Sequence, residues 1–124
     1  MIDFNSNSVF KLSPCAPDEI AGAVHEILLQ DEQLVLAFKG PRDFVTFTTK
    51  RIIAVNVQGI TGKKRDFTSL PYSKIQAFSI ETAGSFDRDA ELEMYFSGLG
   101  KVRFEVKGQS DIQGVSRLIA SYVL

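Results

Sequence analysis

The apolar positions change period along the chain, and each change marks an element. Ile20, Val24, Ile27 and Leu28 recur at helical spacing, which predicts a helix over about 17–29. Pro17 suits its first position, where a missing N–H costs nothing, and Asp18 and Glu19 complement the helix dipole. Upstream the residues are largely polar and Pro14 and Pro17 punctuate them, so 1–16 reads as an irregular tail. After Asp31-Glu32 the pattern turns to strands. Residues 33–39 and 44–49 are β-rich on either side of a Gly40-Pro41-Arg42-Asp43 turn, and 51–57 makes a third strand. Gln58-Gly59-Ile60-Thr61-Gly62 is a loop, and 64–70 is a fourth strand ended by Pro71.

Residues 74–82 alternate, with Ile75, Ala77, Phe78 and Ile80 on or near the apolar face, and 83–89 is a loop. Residues 91–96 alternate again, and Ser97-Gly98-Leu99-Gly100 is a tight turn. The cleanest period-2 pattern is 101–107, with Val102, Phe104 and Val106 inward and charges outward. The chain closes on a helix. Ser110-Asp111-Ile112-Gln113 fits a capping box with Ser110 at the cap. Ile112, Val115, Leu118, Ile119, Tyr122 and Val123 form one wide apolar face that must be buried. One helix, about seven antiparallel strands and an amphipathic helix favour a mainly β (α+β) barrel or two packed sheets, with the terminal helix covering one open end. No repeat or linker interrupts the order and 124 residues suit one core, so 17–124 reads as a single domain.

Composition narrows the function. Lys plus Arg number 14 against 15 Asp plus Glu, so no global charge argues for a nucleic-acid partner. The single cysteine, Cys15, leaves no internal disulfide to form. No signal peptide opens the chain and no apolar run is long enough for a transmembrane helix, so a soluble, cytoplasmic protein is expected.

Catalytic chemistry finds little to work with. Cys15 and the lone His25 lie ten residues apart with nothing to orient them, so no catalytic dyad is expected. Asp87, Asp89, Glu91 and Glu93 form the densest acidic stretch, but it lacks the glycine and terminal glutamate of a calcium loop; neither metal nor cofactor is expected. Gly59 to Lys64 holds the residue types of a phosphate-binding loop, yet two residues rather than four separate its glycines, and it joins strands rather than opening a helix. What remains is Lys63-Lys64-Arg65, the one run of three positive charges. It reads either as an anionic-headgroup or phosphate site or as a solvated strand edge where Lys discourages unwanted pairing.

Four stretches in order carry a resemblance: Thr49-Lys50-Arg51-Ile52-Ile53, Gln58-Gly59-Ile60-Thr61-Gly62-Lys63-Lys64, Leu70-Pro71-Tyr72-Ser73-Lys74-Ile75 and Glu81-Thr82-Ala83-Gly84-Ser85-Phe86-Asp87. Over about 20–124 the chain resembles the bacterial pleckstrin-homology (PH) domain family, long a domain of unknown function. The resemblance implies a PH-like seven-stranded, partly open barrel or orthogonal sandwich capped by a C-terminal helix, here with an extra N-terminal helix, and an assembly into rings. In the wider superfamily, anions sit among three inter-strand loops; the matching positions are Lys39 and Arg42, then Lys63 and Lys64, then Lys101. Phosphoinositide recognition does not carry over, because the second strand, 44–48, offers no base and the C-terminal helix lacks its usual Trp.

The expected function is therefore a non-catalytic interaction module that self-assembles into a ring-like homo-oligomer and scaffolds an unidentified protein partner. The alternative is peripheral docking on an anionic membrane through Lys63, Lys64 and Arg65. Each base contributes about 1 kcal/mol there, so a ring that repeats the patch would bind best.

Overall fold

Antiparallel hairpins, turned where glycine and proline predict, carry most of the chain. The computed structural model describes residues 1–4, 10–86, 89–107 and 111–124. In chain order the elements are β1 (Phe10–Cys15), α1 (Asp18–Val24), a 3-10 turn (His25–Ile27), β2 (Leu34–Lys39), β3 (Asp43–Thr48), β4 (Arg51–Gln58), β5 (Lys64–Pro71), a second 3-10 turn (Tyr72–Lys74), β6 (Ile75–Glu81), β7 (Ala90–Phe96), β8 (Gly100–Val106) and α2 (Ile112–Val123). They fall into two units, Met1–Ile2 with Pro14–Pro71, and Asp3–Ser13 with Tyr72–Leu124.

In the first unit β2, β3, β4 and β5 form an antiparallel meander. Ile52, Ile53, Ala54 and Val55 are all fully buried, so β4 is covered on both faces, which is why it reads as a continuous apolar run rather than an alternation. On one face Val24 of α1 packs on Ile53 and Val55, with Ile27, Leu28, Leu34 and Phe44 around them. Phe38 and Phe47 meet edge to face at 5.9 Å. The helix is shorter than the spacing predicts: α1 ends at Val24, and Leu28 is already extended. Beyond the 3-10 turn the Leu29 amide donates to the Glu32 carboxylate and the Glu32 amide to the Leu29 carbonyl, both at 3.1 Å, which turns the chain toward β2.

In the second unit β6, β7 and β8 are antiparallel, and β1 adds to β8 in parallel with Phe10 beside Phe104 and Leu12 beside Val106. The expected irregular tail over 1–16 thus yields to a strand over 10–15. Phe10 and Leu12 bury their side chains, and a strand of six residues ending in Ser-Pro-Cys shows too little alternation to be read alone. Strand β6 also departs from expectation. A bulge between Ile75 and Ala77 shifts its register, so Phe78 and Ile80 face the same way as Ile75 while Ala77 is exposed.

Helix α2 packs on β6, β7 and the Tyr72–Lys74 turn, burying Ile112, Val115 and Ile119. The ring of Tyr122 stacks on Tyr72 at 4.5 Å. Its cap is Asp111, whose carboxylate accepts from the Gly114 amide at 2.9 Å. The cap expected at Ser110 therefore moves one residue on, and Ser110 itself lies outside the described residues. A Cβ on residue 114 would sit 2.3 Å from the Asp111 carboxylate, so glycine there makes room for the cap. Asp111→Ala is expected to cost about 1 kcal/mol, read as a lower urea midpoint with an unchanged slope. No change in midpoint would show the cap idle.

Candidate functional site

Of the six basic positions singled out in the sequence, five belong to the first unit and one to the second. The β2–β3 turn closes with the Gly40 amide donating to the Asp43 carbonyl at 2.7 Å, and places Arg42 beside the next hairpin. The Arg42 guanidinium donates to the Gly59 carbonyl, and the Val57 amide returns a bond to the Arg42 carbonyl at 2.9 Å. These two bonds tie the turn to the β4–β5 loop. Gly59 and Gly62 have φ of 76° and 67°, conformations that other residues adopt only with strain, so the loop's shape depends on both glycines.

Lys64 pairs across the hairpin with Gln58, and Arg65 with Val57. Lys63, Lys64 and Arg65 are exposed and make no ion pair among the described residues. Asp66, next in the chain, is taken up: the Met1 ammonium lies 2.8 Å away and the Thr68 hydroxyl donates to it, and these hold its carboxyl below the usual range. At the loop's apex Ile60 is fully exposed. Its signal in the sequence is one apolar residue between two loop glycines.

The other two basic positions are engaged. Lys39 donates to Glu19 of α1 at 2.9 Å; that bond lowers the Glu19 carboxyl and raises the Lys39 ammonium. Lys101, at the start of β8, faces Glu93 at 3.6 Å and borders a groove with Phe78, Met94 and Tyr95. The structure thus gathers Arg42, Lys63, Lys64 and Arg65 around one loop, and gives Lys39 and Lys101 acidic partners of their own.

Sequence reasoning missed the most buried charge. Glu32 has a side chain with no exposure, and it accepts from Arg51 at 2.9 and 3.0 Å, from the Thr48 hydroxyl and from the Leu29 amide. Burial pulls its carboxyl upward, but the bonds from Arg51, Thr48 and Leu29 outweigh that and hold it at about 2. Arg51 also reaches the Ile27 carbonyl and the Ser69 hydroxyl. This network welds α1's exit to β4 and β5.

Burial pushes the Cys15 thiol up, with Glu19 adding to the effect, so the thiolate needed for nucleophilic attack is disfavoured. His25 is exposed. Asp87 lies outside the described residues, while Glu91 and Glu93 are ion-paired to Arg103 and Lys101. Asp89 shares a hydrogen bond with Glu105, which raises the Glu105 carboxyl. Among the described residues no three His, Cys, Asp or Glu are placed to hold a metal, and no helix is long and apolar enough to cross a membrane.

A mainly β chain ending in an amphipathic helix that packs on the last strands fits a PH-like module. The bacterial PH domain model matches residues 3–123, and the chain belongs to that family. It is 46% identical over 97 residues to the uncharacterized protein YjqA of Bacillus subtilis, covering 77% of this chain and 78% of that one. Its fold matches a DUF1696 family protein with a pleckstrin-homology domain from Shewanella loihica, with 40% identity, a TM-score of 0.80, and 93% and 99% of the two chains covered. A pleckstrin homology domain from Shewanella amazonensis is 39% identical, with a TM-score of 0.68 over 96% and 94% of the chains. The expected mainly β, PH-like fold with a C-terminal helix therefore holds, with β1 added to the seven strands expected.

Proposed function

We propose that the chain is a non-catalytic, cytoplasmic PH-like interaction module that assembles with copies of itself into a ring and presents that assembly to a protein partner. The observation that carries this reading is the pair of open strand edges. Among the described residues β5 has β4 as its one strand partner and β6 has β7, so each of these two strands keeps one backbone edge without a strand partner; Met1 and Ile2 reach β5 only through the side chains of Asp66 and Thr68. An unpaired edge is a template for another chain, and joining two such edges adds backbone hydrogen bonds to apolar burial. Strand β5 runs eight residues without a register shift and carries the half-exposed Phe67. The test is light scattering at micromolar concentration. A mass several times 13.7 kDa is expected. Phe67→Lys, which puts charge at the β5 edge, is expected to lower that mass without lowering the melting temperature by more than about 3 °C. A strict monomer sinks the proposal.

A second reading, docking on an anionic membrane surface, is supported by one contrast. Lys39, Lys50, Arg51, Lys101, Arg103 and Arg117 are ion-paired, whereas Lys63, Lys64 and Arg65 follow one another along the chain without acidic partners among the described residues. Uncompensated charge of one sign is what an anionic surface attracts. A ring would repeat the patch and convert weak single contacts into firm attachment.

A further inference from the structure

We propose that the β4–β5 loop is a membrane-docking finger: Ile60 at its tip enters the apolar margin of an anionic bilayer while Lys63, Lys64 and Arg65 hold the headgroups. This rests on the second reading above and adds insertion to it. A lone exposed isoleucine is ordinary on a protein surface and would say nothing by itself. Three features set this one apart.

The first is placement. Ile60 stands at the apex of a loop folded by two left-handed glycines, and it is fully exposed. It has room to penetrate without dragging strand backbone out of water. The second is bracing. The Arg42 guanidinium on the Gly59 carbonyl and the Val57 amide on the Arg42 carbonyl hold the loop's base. A pre-shaped finger loses less conformational freedom on docking than a slack one. The third is the order of chemistry along the finger. Going from tip to base the chain runs Ile60, Thr61, Gly62 and then the three cations. An apolar end followed by a basic collar matches the bilayer's own gradient, hydrocarbon first and anionic headgroups above it. The two carboxylates at the base of the hairpin are already occupied, Asp66 by Met1 and Thr68 and Asp43 by the Asn56 amide.

The chain contains no tryptophan, so Ile60→Trp supplies a single fluorescent reporter at the tip without background. The experiment uses the full chain with vesicles of phosphatidylglycerol and phosphatidylcholine, and with vesicles of phosphatidylcholine alone. Emission of Ile60→Trp is expected to shift to the blue on the anionic vesicles and to stay put on the neutral ones. Wild-type co-sedimentation is expected to fall as salt rises, and to drop about tenfold in Ile60→Asp and in the Lys63→Ala, Lys64→Ala double variant. Unchanged melting of these variants would confirm that the fold is intact. Salt-sensitive sedimentation that survives Ile60→Asp, with no blue shift, overturns insertion and leaves electrostatic docking standing. No sedimentation at low salt overturns both. Complete displacement from vesicles by millimolar glycerol phosphate would identify a soluble headgroup as the ligand and would equally overturn the finger.

Discussion

Replacing Arg51 with Ala is expected to cost about 3–5 kcal/mol, because it strands the Glu32 carboxylate inside the first unit. Glu32 is among the few buried polar side chains, and its side chain has no exposure to water that could replace the lost partner. Arg51 supplies two of its hydrogen bonds and in the same plane ties down the Ile27 carbonyl and Ser69. Urea unfolding reads the loss directly. The companion Glu32→Leu, Arg51→Met chain removes both charges, and it is expected to recover most of the stability, since a buried ion pair costs about as much to desolvate as it returns. A loss below about 1 kcal/mol in Arg51→Ala would show that Glu32 reaches water or another cation.

The same pair sets an acid limb. Glu32 titrates at about 2 in the folded chain, below an ordinary glutamate. A depressed carboxyl stabilises the fold fully above its unfolded value, and that stabilisation drains away as the pH falls toward the folded one. Between about pH 4.5 and 2 the wild type should lose about 3 kcal/mol through this group. In Arg51→Ala burial is opposed only by the Thr48 and Leu29 bonds, so the loss over that window should be clearly smaller than in the wild type. The Glu19 carboxyl is lowered in the same direction by Lys39, but that pair is exposed, and solvent and salt screen it.

Much of this architecture can be read from residue order. Strand β8 was plain in the sequence, because charges fall on one face and Val102, Phe104 and Val106 on the other. The β4 run was plain for the opposite reason, since burial on both faces removes alternation but concentrates β-branched residues. The Lys63-Lys64-Arg65 run was visible as composition, and its lack of acidic partners among the described residues was not, because ion pairs such as Lys39 with Glu19 join residues twenty apart. Arg42, matched in the sequence to an anion-site loop, braces the Gly59 carbonyl. Glu32 marks in the sequence only the place where the pattern turns to strands, and its burial depends on Arg51, nineteen positions along. Long-range charge pairing leaves no periodic trace, whereas packing does. That is why the elements were legible and the electrostatics were not.

Strand β1 lies between these cases, and Phe104→Ala tests what holds it. Phe104 is 1% exposed, with Phe10 at 5.7 Å and Phe4 at 6.4 Å between ring centres. Removing its ring should cost about 3–5 kcal/mol in urea, the cavity adding to the lost transfer energy. The loss should not be spread evenly. Phe10 lies beside Phe104 in the parallel pair, so the void opens under β1 first. The Lys107 amide, which donates to the Leu12 carbonyl at 2.8 Å, should then exchange with solvent well before the amides joining β7 to β8. Phe104→Leu keeps most of the volume and should cost about 1 kcal/mol with that amide still protected. Equal exchange at Lys107 and Met94 in the alanine variant would mean that β1 and the hairpin unfold as one unit. An early loss at Lys107 would instead show that six residues with almost no intrinsic strand signal are kept as a strand by three phenylalanine rings.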